Sequence, residues 1–168
     1  ETGELLALMN ASEITAIRTA AVSAVATRLL AREDAESLAM IGAGVQARTH
    51  LIALASVRAI KRARVACRNI EHAQQLAEEM QTKVTFPIEP VRTNEQAVRD
   101  ADVIVTATSS LEPVINNDWI SPGAHVNAIG THSPNSREVD GETMGVARIF
   151  VDRRESALNE SGDYLLAA

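Results

Sequence analysis

Apolar residues fall in this chain in two periods that alternate from end to end. Leu38-Ala39-Met40-Ile41 and Asp102-Val103-Ile104-Val105-Thr106 are short, nearly continuous apolar runs, the pattern of strands buried on both faces. They read as the first and fourth strands of a sheet. Arg64–Cys67, Lys83–Phe86, His125–Ile129 and Arg148–Asp152 supply the second, third, fifth and sixth, and Leu5–Met9 reads as a further short strand ahead of them. The stretches between repeat at helical spacing. Ser12 is placed to cap a helix running to about Leu30, with Ile14, Ile17, Ala21, Ala24 and Val25 as its apolar face. Val45, Leu51, Leu54 and Val57 share one face of a second helix. Glu71–Met80, Asn94–Arg99 with Thr93 as cap, Glu138–Ala147 and Arg153–Leu166, broken at Gly162, complete the set. Pro87 and Pro90 mark loop. Trp119 packs under a loop, and His50 and His72 read as helix-surface residues. Strand and helix alternate with no linker or low-complexity stretch. The economical solution is a Rossmann-type doubly wound α/β fold: a mostly parallel sheet with helices on both faces.

Composition narrows this further. The 168 residues suffice for one domain, and aromatics make up only 2%, so the core is aliphatic. The net charge is −6 with no basic block, which argues against nucleic acid as a partner. No run reaches membrane-spanning length, no signal peptide is visible, and one cysteine, Cys67, permits no internal disulfide; a cytoplasmic setting is the expectation. Cys67 reads as a buried strand residue. No His, Cys or Asp cluster has metal-ligand spacing, so no metal is expected. Glu1-Thr2-Gly3-Glu4 reads as a chain entered midway.

The chemistry gathers at strand ends. Gly42-Ala43-Gly44-Val45-Gln46-Ala47 follows the first strand and opens a helix, the context a dinucleotide fingerprint requires. Gly42 allows the tight turn, Gly44 lets a pyrophosphate approach the backbone, and Ala47 permits close helix packing. Where an Asp or Glu after the second strand would bind an adenosine ribose 2′-hydroxyl, this chain has Arg68, whose guanidinium suits a 2′-phosphate. That favours NADP(H), with NAD(H) possible. Ala107 to Ser110 follow the fourth strand at its carboxyl end, where ligands bind in such sheets. By spacing alone Arg18 is a solvated helix position.

The segments Thr15–Ala21, Ile41–Ala47, Ala101–Ser109, Pro122–Gly130, Arg137–Asp140 and Glu160–Asp163 resemble, in order and over nearly the whole chain, the ornithine cyclodeaminase/mu-crystallin family. The resemblance implies that residues 1–168 are the family's NAD(P)-binding domain, with an N-terminal connecting strand and helix over about residues 1–33. The family's flanking part, which builds a homodimer and much of the substrate site, is absent. Carried over residue by residue, the resemblance implies that Arg18 holds a substrate carboxylate. Val45 and Gln46 lie along the dinucleotide phosphates. Cys67, Arg68 and Asn69 form the adenosine-phosphate pocket. Thr106, Ala107 and Thr108 lie near the nicotinamide ribose, and Ile129 lies beside the nicotinamide.

One departure separates activities within the resemblance. Ornithine-specific members carry an aspartate two residues before a proline, where this chain has His132 before Ser133-Pro134. A carboxylate there can host a second ammonium group, and a histidine does so poorly. The expectation is an NAD(P)-dependent oxidoreductase acting on small amino or cyclic imino acids, of the ketimine or pyrroline-2-carboxylate reductase kind, with His132 near the proton transfer. The alternatives are an ornithine cyclodeaminase that releases ammonia using NAD, and a protein that binds NADPH and a small ligand without turnover, as mu-crystallin-like members can.

Overall fold

The computed structural model describes residues 3–130 and 133–167. Five strands form one parallel sheet: β1 (Ser37–Ile41), β2 (Arg62–Ala66), β3 (Ile88–Pro90), β4 (Val103–Thr106) and β5 (His125–Ala128), in the order β3-β2-β1-β4-β5. Leu38 stands opposite Ala63 on one side and Val103 on the other, and Val105 stands opposite Asn127. β1 and β4 are buried along their whole length, as their unbroken apolar runs require. Successive residues point to opposite faces. Leu38, Met40, Val65 and Val105 pack under α2 (Val45–Ala55) and α3 (Ile70–Met80), while Ala39, Ile41, Ala66 and Ile104 pack against α4 (Asn94–Val98) and the loops beyond it. Helices therefore cover both faces of a doubly wound sheet.

The long helix α1 (Ser12–Leu30) lies against α2 and β5. Its buried face is made of small residues: Ala16, Ala20, Ser23, Ala24 and Thr27. Two buried polar pairs fix it there: the Ser23 hydroxyl lies 3.0 Å from His50 Nε2, and the Asn127 amide donates to the Thr27 hydroxyl at 3.0 Å. Arg58 closes its carboxyl end by donating to the carbonyls of Arg28, Ala31 and Arg32, which have no helical partner.

The structure corrects the sequence reading at several points. Leu5–Met9 joins no strand, and its large side chains are exposed. The larger apolar residues of α1, Ile14, Ile17 and Val25, face outward with Ala21, because the close approach to α2 admits only small side chains. Ser12 is the first residue of that helix rather than its cap, and Asn10 Oδ1 takes its amide at 3.0 Å. The third strand is Ile88–Pro90, not Lys83–Phe86. Val84 and Phe86 are buried in the preceding loop, and Pro90 is tolerated because β3 is an edge strand. No strand forms over Arg148–Asp152; β5 is the other edge, and Ile149, Phe150 and Val151 are exposed. The helix expected from Glu138 begins at Gly141 as α5 (Gly141–Val146), since the Asp140 carboxylate caps it through the Thr143 amide at 2.6 Å. His50 is fully buried, whereas His72 is exposed. Cys67 sits just past β2, half-buried, and its thiol donates to the Asn69 carbonyl at 3.0 Å.

Other expectations stand. Thr93 caps α4 in a reciprocal box with Gln96. The last segment breaks at Gly162 into α6 (Arg154–Glu160) and α7 (Gly162–Leu165). Trp119 is half-buried against the second core, in a short 3₁₀ turn. Among the described residues no helix is long and apolar enough to cross a membrane.

Candidate functional site

The order in which strands are added across the sheet reverses between β1 and β4, and the crevice outside their carboxyl ends is where an open α/β sheet takes its ligand. A cleft of about 450 Å³ opens there. α1 contributes Thr15, Arg18 and Thr19, and α2 contributes Gln46. The β4 loop contributes Ala107 and Thr108, and the β5 loop Ile129 and Gly130. Five residues singled out in the sequence, Arg18, Gln46, Ala107, Thr108 and Ile129, thus meet around one space although up to 111 positions separate them. Arg18 is exposed and has no hydrogen-bond or ion-pair partner among the described residues, so its fork is available to a carboxylate. Gln46 Oε1 is buried without a partner among the described residues, an acceptor that a bound N–H or O–H group would satisfy.

The glycine turn has the shape a dinucleotide needs. Gly42 has φ +115°, and a Cβ there would run into the Ala107 carbonyl, so only glycine lets the ends of β1 and β4 lie this close. A Cβ on Gly44 would meet no protein atom within 4 Å; it would project into open space. The first turn of α2 has neither a side-chain cap nor an acidic residue, so its amides and the positive end of its dipole are left for an anion. Arg48 fastens the turn from outside. It donates to the carbonyls of Ala43 at 2.9 Å and Gly44 at 3.1 Å while pairing with Glu79 of α3 at 2.8 Å. Val45 is exposed at the start of α2 beside this anion position, and Thr106 is fully buried below the cleft at the end of β4.

Arg68 and Asn69 follow β2 and are not part of the cleft wall. Arg68 is exposed and has no partner among the described residues, open to a phosphate. The Asn69 side chain is committed to capping α3 through the Glu71 amide at 2.9 Å, so its contribution to a ligand falls to its backbone and the turn it shapes. His132 lies outside the described residues. Among the described residues no group of three or more His, Cys, Asp and Glu side chains is arranged to hold a metal ion.

Sequence reasoning missed one group beside this site. Glu138 is fully buried, and its carboxylate receives the Thr108 amide at 2.6 Å and the Gly130 amide at 2.7 Å. Burial pushes its pKa above the usual carboxylate value, opposed by the side chains of Thr108 and Thr106 and by the amides of Thr108 and Gly130. Its only signal in the sequence is its place in the segment Arg137–Asp140; a Glu beside Arg137 and near Asp140 reads as exposed. Thr15 and Thr19 were missed for the same reason, as polar residues of a helix whose solvent side is not evident from its period.

The chain matches the Ornithine cyclodeaminase/mu-crystallin family over residues 1–167. It is 44% identical over 165 residues to the ketimine reductase mu-crystallin of Mus musculus, covering 98% of this chain and 51% of that protein. The structure of a Thermococcus litoralis Delta(1)-pyrroline-2-carboxylate reductase in complex with NADH and L-proline superposes with a TM-score of 0.94 at 43% identity, over 99% of this chain and 51% of the other. A lysine cyclodeaminase, solved to explain recognition of L-lysine, L-ornithine and L-2,4-diaminobutyric acid, superposes with a TM-score of 0.83 at 38% identity, over 95% of this chain and 46% of the other. The chain spans about half the length of these relatives.

Proposed function

The chain belongs to the ornithine cyclodeaminase/mu-crystallin family, and from that premise we propose that it is the dinucleotide-binding half of an NAD(P)H-dependent reductase of cyclic imino acids. The observation that carries this is the single cleft in which an unpaired arginine, an unpartnered buried amide oxygen and the ends of β4 and β5 converge beside an uncapped helix N-terminus. Val45, Gln46 and the first turn of α2 hold the pyrophosphate, with Gly42 and Gly44 giving it room. Thr106, Ala107, Thr108 and Ile129 shape the seat of the nicotinamide end. Arg68, with the turn that Asn69 fixes, receives the adenosine end and favours a 2′-phosphate, so NADPH is preferred over NADH. When bound, the reduced dinucleotide supplies a hydride to the imine carbon.

This chain's residues orient the partner of that hydride. Arg18 grips the carboxylate of the imino acid and turns the imine carbon toward the β4 and β5 loops. His132 follows Gly130 by two positions and donates a proton to the reduced nitrogen, or shapes the pocket around it. The part of the protein outside this chain closes the substrate pocket and forms a homodimer. The likeness to a lysine cyclodeaminase favours a second reading, ammonia-releasing cyclisation of a diamino acid. His132, in place of the aspartate that would host a second ammonium, stands against it.

Arg18 tests the substrate half of this reading. Arg18→Ala in the complete protein should raise KM for a cyclic imino acid about 10- to 100-fold, the equivalent of a charge-assisted hydrogen bond of about 1.5–3 kcal/mol. The dinucleotide Kd should hardly move. Arg18→Lys should recover little, because a point charge cannot reproduce the fork. An unchanged KM would return Arg18 to the role of a solvated helix residue.

A further inference from the structure

We propose that Glu138 is a positioning residue for hydride transfer, its carboxylate fixing the spacing of the β4 and β5 loops that wall the cleft, with Asp163 holding Glu138 in place. This rests on the reading of the cleft as the site of hydride transfer. The strand ladder that joins β4 to β5 ends at the Ile129 amide, which reaches the Thr106 carbonyl at 3.1 Å. Two residues past β4 and two past β5, the amides of Thr108 and Gly130 are instead held by the two oxygens of one carboxylate. The fork of that carboxylate sets their separation. Both residues line the cleft and Glu138 does not, so Glu138 acts through them.

The carboxylate has room because position 130 is glycine. A Cβ on Gly130 would land on the Glu138 carboxylate, so a side chain at 130 would displace the carboxylate from the place where it holds both amides. Glu138 itself is held by its backbone. Its amide and that of Val139 both donate to Asp163 Oδ1, at 2.7 and 2.9 Å, and its carbonyl receives the Val114 amide at 2.8 Å. Asp163 is buried on α7, which is seated by Gly162; a Cβ there would run into the carbonyl of Ser136. The segment Ser161-Gly162-Asp163, near the end of the chain, is thereby linked to the cleft wall through one buried side chain. Two stray amides do not by themselves call for a buried charge, since backbone carbonyls satisfy most such groups. A carboxylate is suited to joining two separate loops, because it offers two acceptors on one rigid plane.

The test uses the complete protein. Glu138→Gln keeps the shape but turns an NH₂ group toward one of the two amides, releasing one loop. It should lower kcat about 10- to 100-fold, the cost of misplacing reacting groups by a fraction of an ångström to an ångström. The dinucleotide Kd should stay within about threefold, or about 0.7 kcal/mol. At saturating NADH, the fluorescence enhancement of the bound nicotinamide should fall. Gly130→Ala should lower both Tm and kcat. Gly130→Ala/Glu138→Ala removes the clash, so Gly130→Ala should cost less Tm in the Glu138→Ala background than in the unmutated protein, while kcat stays low. Wild-type kcat in folded Glu138→Gln, or in the folded double variant, would overturn the proposal and leave Glu138 as a structural group. If the unmutated enzyme releases ammonia from ornithine and reduces no imino acid, the substrate reading fails. The same variants are then scored on that turnover and on the nicotinamide fluorescence, since both require a correctly set nicotinamide.

Discussion

His50 lies between α1 and α2 with Nδ1 2.7 Å from the Gln46 carbonyl and Nε2 3.0 Å from the Ser23 hydroxyl. A carbonyl only accepts, so Nδ1 carries the proton and Nε2 receives the hydroxyl of Ser23; the ring is neutral. Burial lowers its pKa below 6.5, and burial lowers that of His125 in the same way. Below a pH of about 6.5 the unfolded chain takes up protons on these residues that the folded chain refuses. Stability is therefore full above that pH and is lost as pH falls toward the folded-state values. In thermal denaturation at a series of pH values, Tm should decline on the acid side of about 6.5, and His50→Gln should flatten part of that decline. An equally steep decline in the variant would show that His50 does not carry it. The sequence could not reveal this burial, because the residue facing His50 is a serine on a helix 27 positions away. Arg68 is the opposite case, since position alone identified it. NADPH should bind about 10- to 100-fold tighter than NADH through one charge-assisted contact, and Arg68→Asp should reverse the order. Equal affinities in titrations of the unmutated protein would remove the 2′-phosphate from the account.

The glycine turn between β1 and α2 separates two kinds of constraint within one element. Gly42→Ala places a Cβ against the Ala107 carbonyl at φ +115°, and should cost about 1–3 kcal/mol of folding stability. Gly44→Ala meets no protein atom and should leave Tm nearly unchanged, yet weaken dinucleotide binding by filling the approach to the α2 amides. If Gly44→Ala binds dinucleotide as well as the unmutated chain, the phosphates do not lie there. Elements with a local signature were legible: β1 and β4 from continuous apolar runs, α4 from its Thr93 cap, and the turn from its glycines. Elements decided by partners were not. Leu5–Met9 and Arg148–Asp152 are apolar enough for strands, but neither lies beside a strand of the sheet. β3 was missed because its proline is forbidden only where a strand has neighbours on both sides. On α1 the large apolar residues suggested the wrong face, since close packing on α2 selects size before hydrophobicity.

At the scale of the molecule, one sheet brings distant segments to one cleft. Arg18, Gln46, Thr108 and Ile129 were each legible in the sequence, all four through the family resemblance, and the topology explains why they meet. The Glu138 bridge between Thr108 and Gly130 was not legible, because hydrogen bonds between loops leave no period in a sequence. The chain spans about half the length of its relatives, and on the proposed reading the remaining wall of the substrate pocket comes from outside it. These 168 residues alone should therefore bind dinucleotide and show no turnover. The most direct measurement is a paired assay on the complete protein. One arm follows NAD(P)H oxidation in the presence of pyrroline-2-carboxylate, and the other follows ammonia released from ornithine with oxidised cofactor. Imino-acid reduction predicts cofactor oxidation in the first arm, faster with NADPH than NADH, and no ammonia in the second. Robust ammonia release, with no reduction of the imino acid, would contradict it.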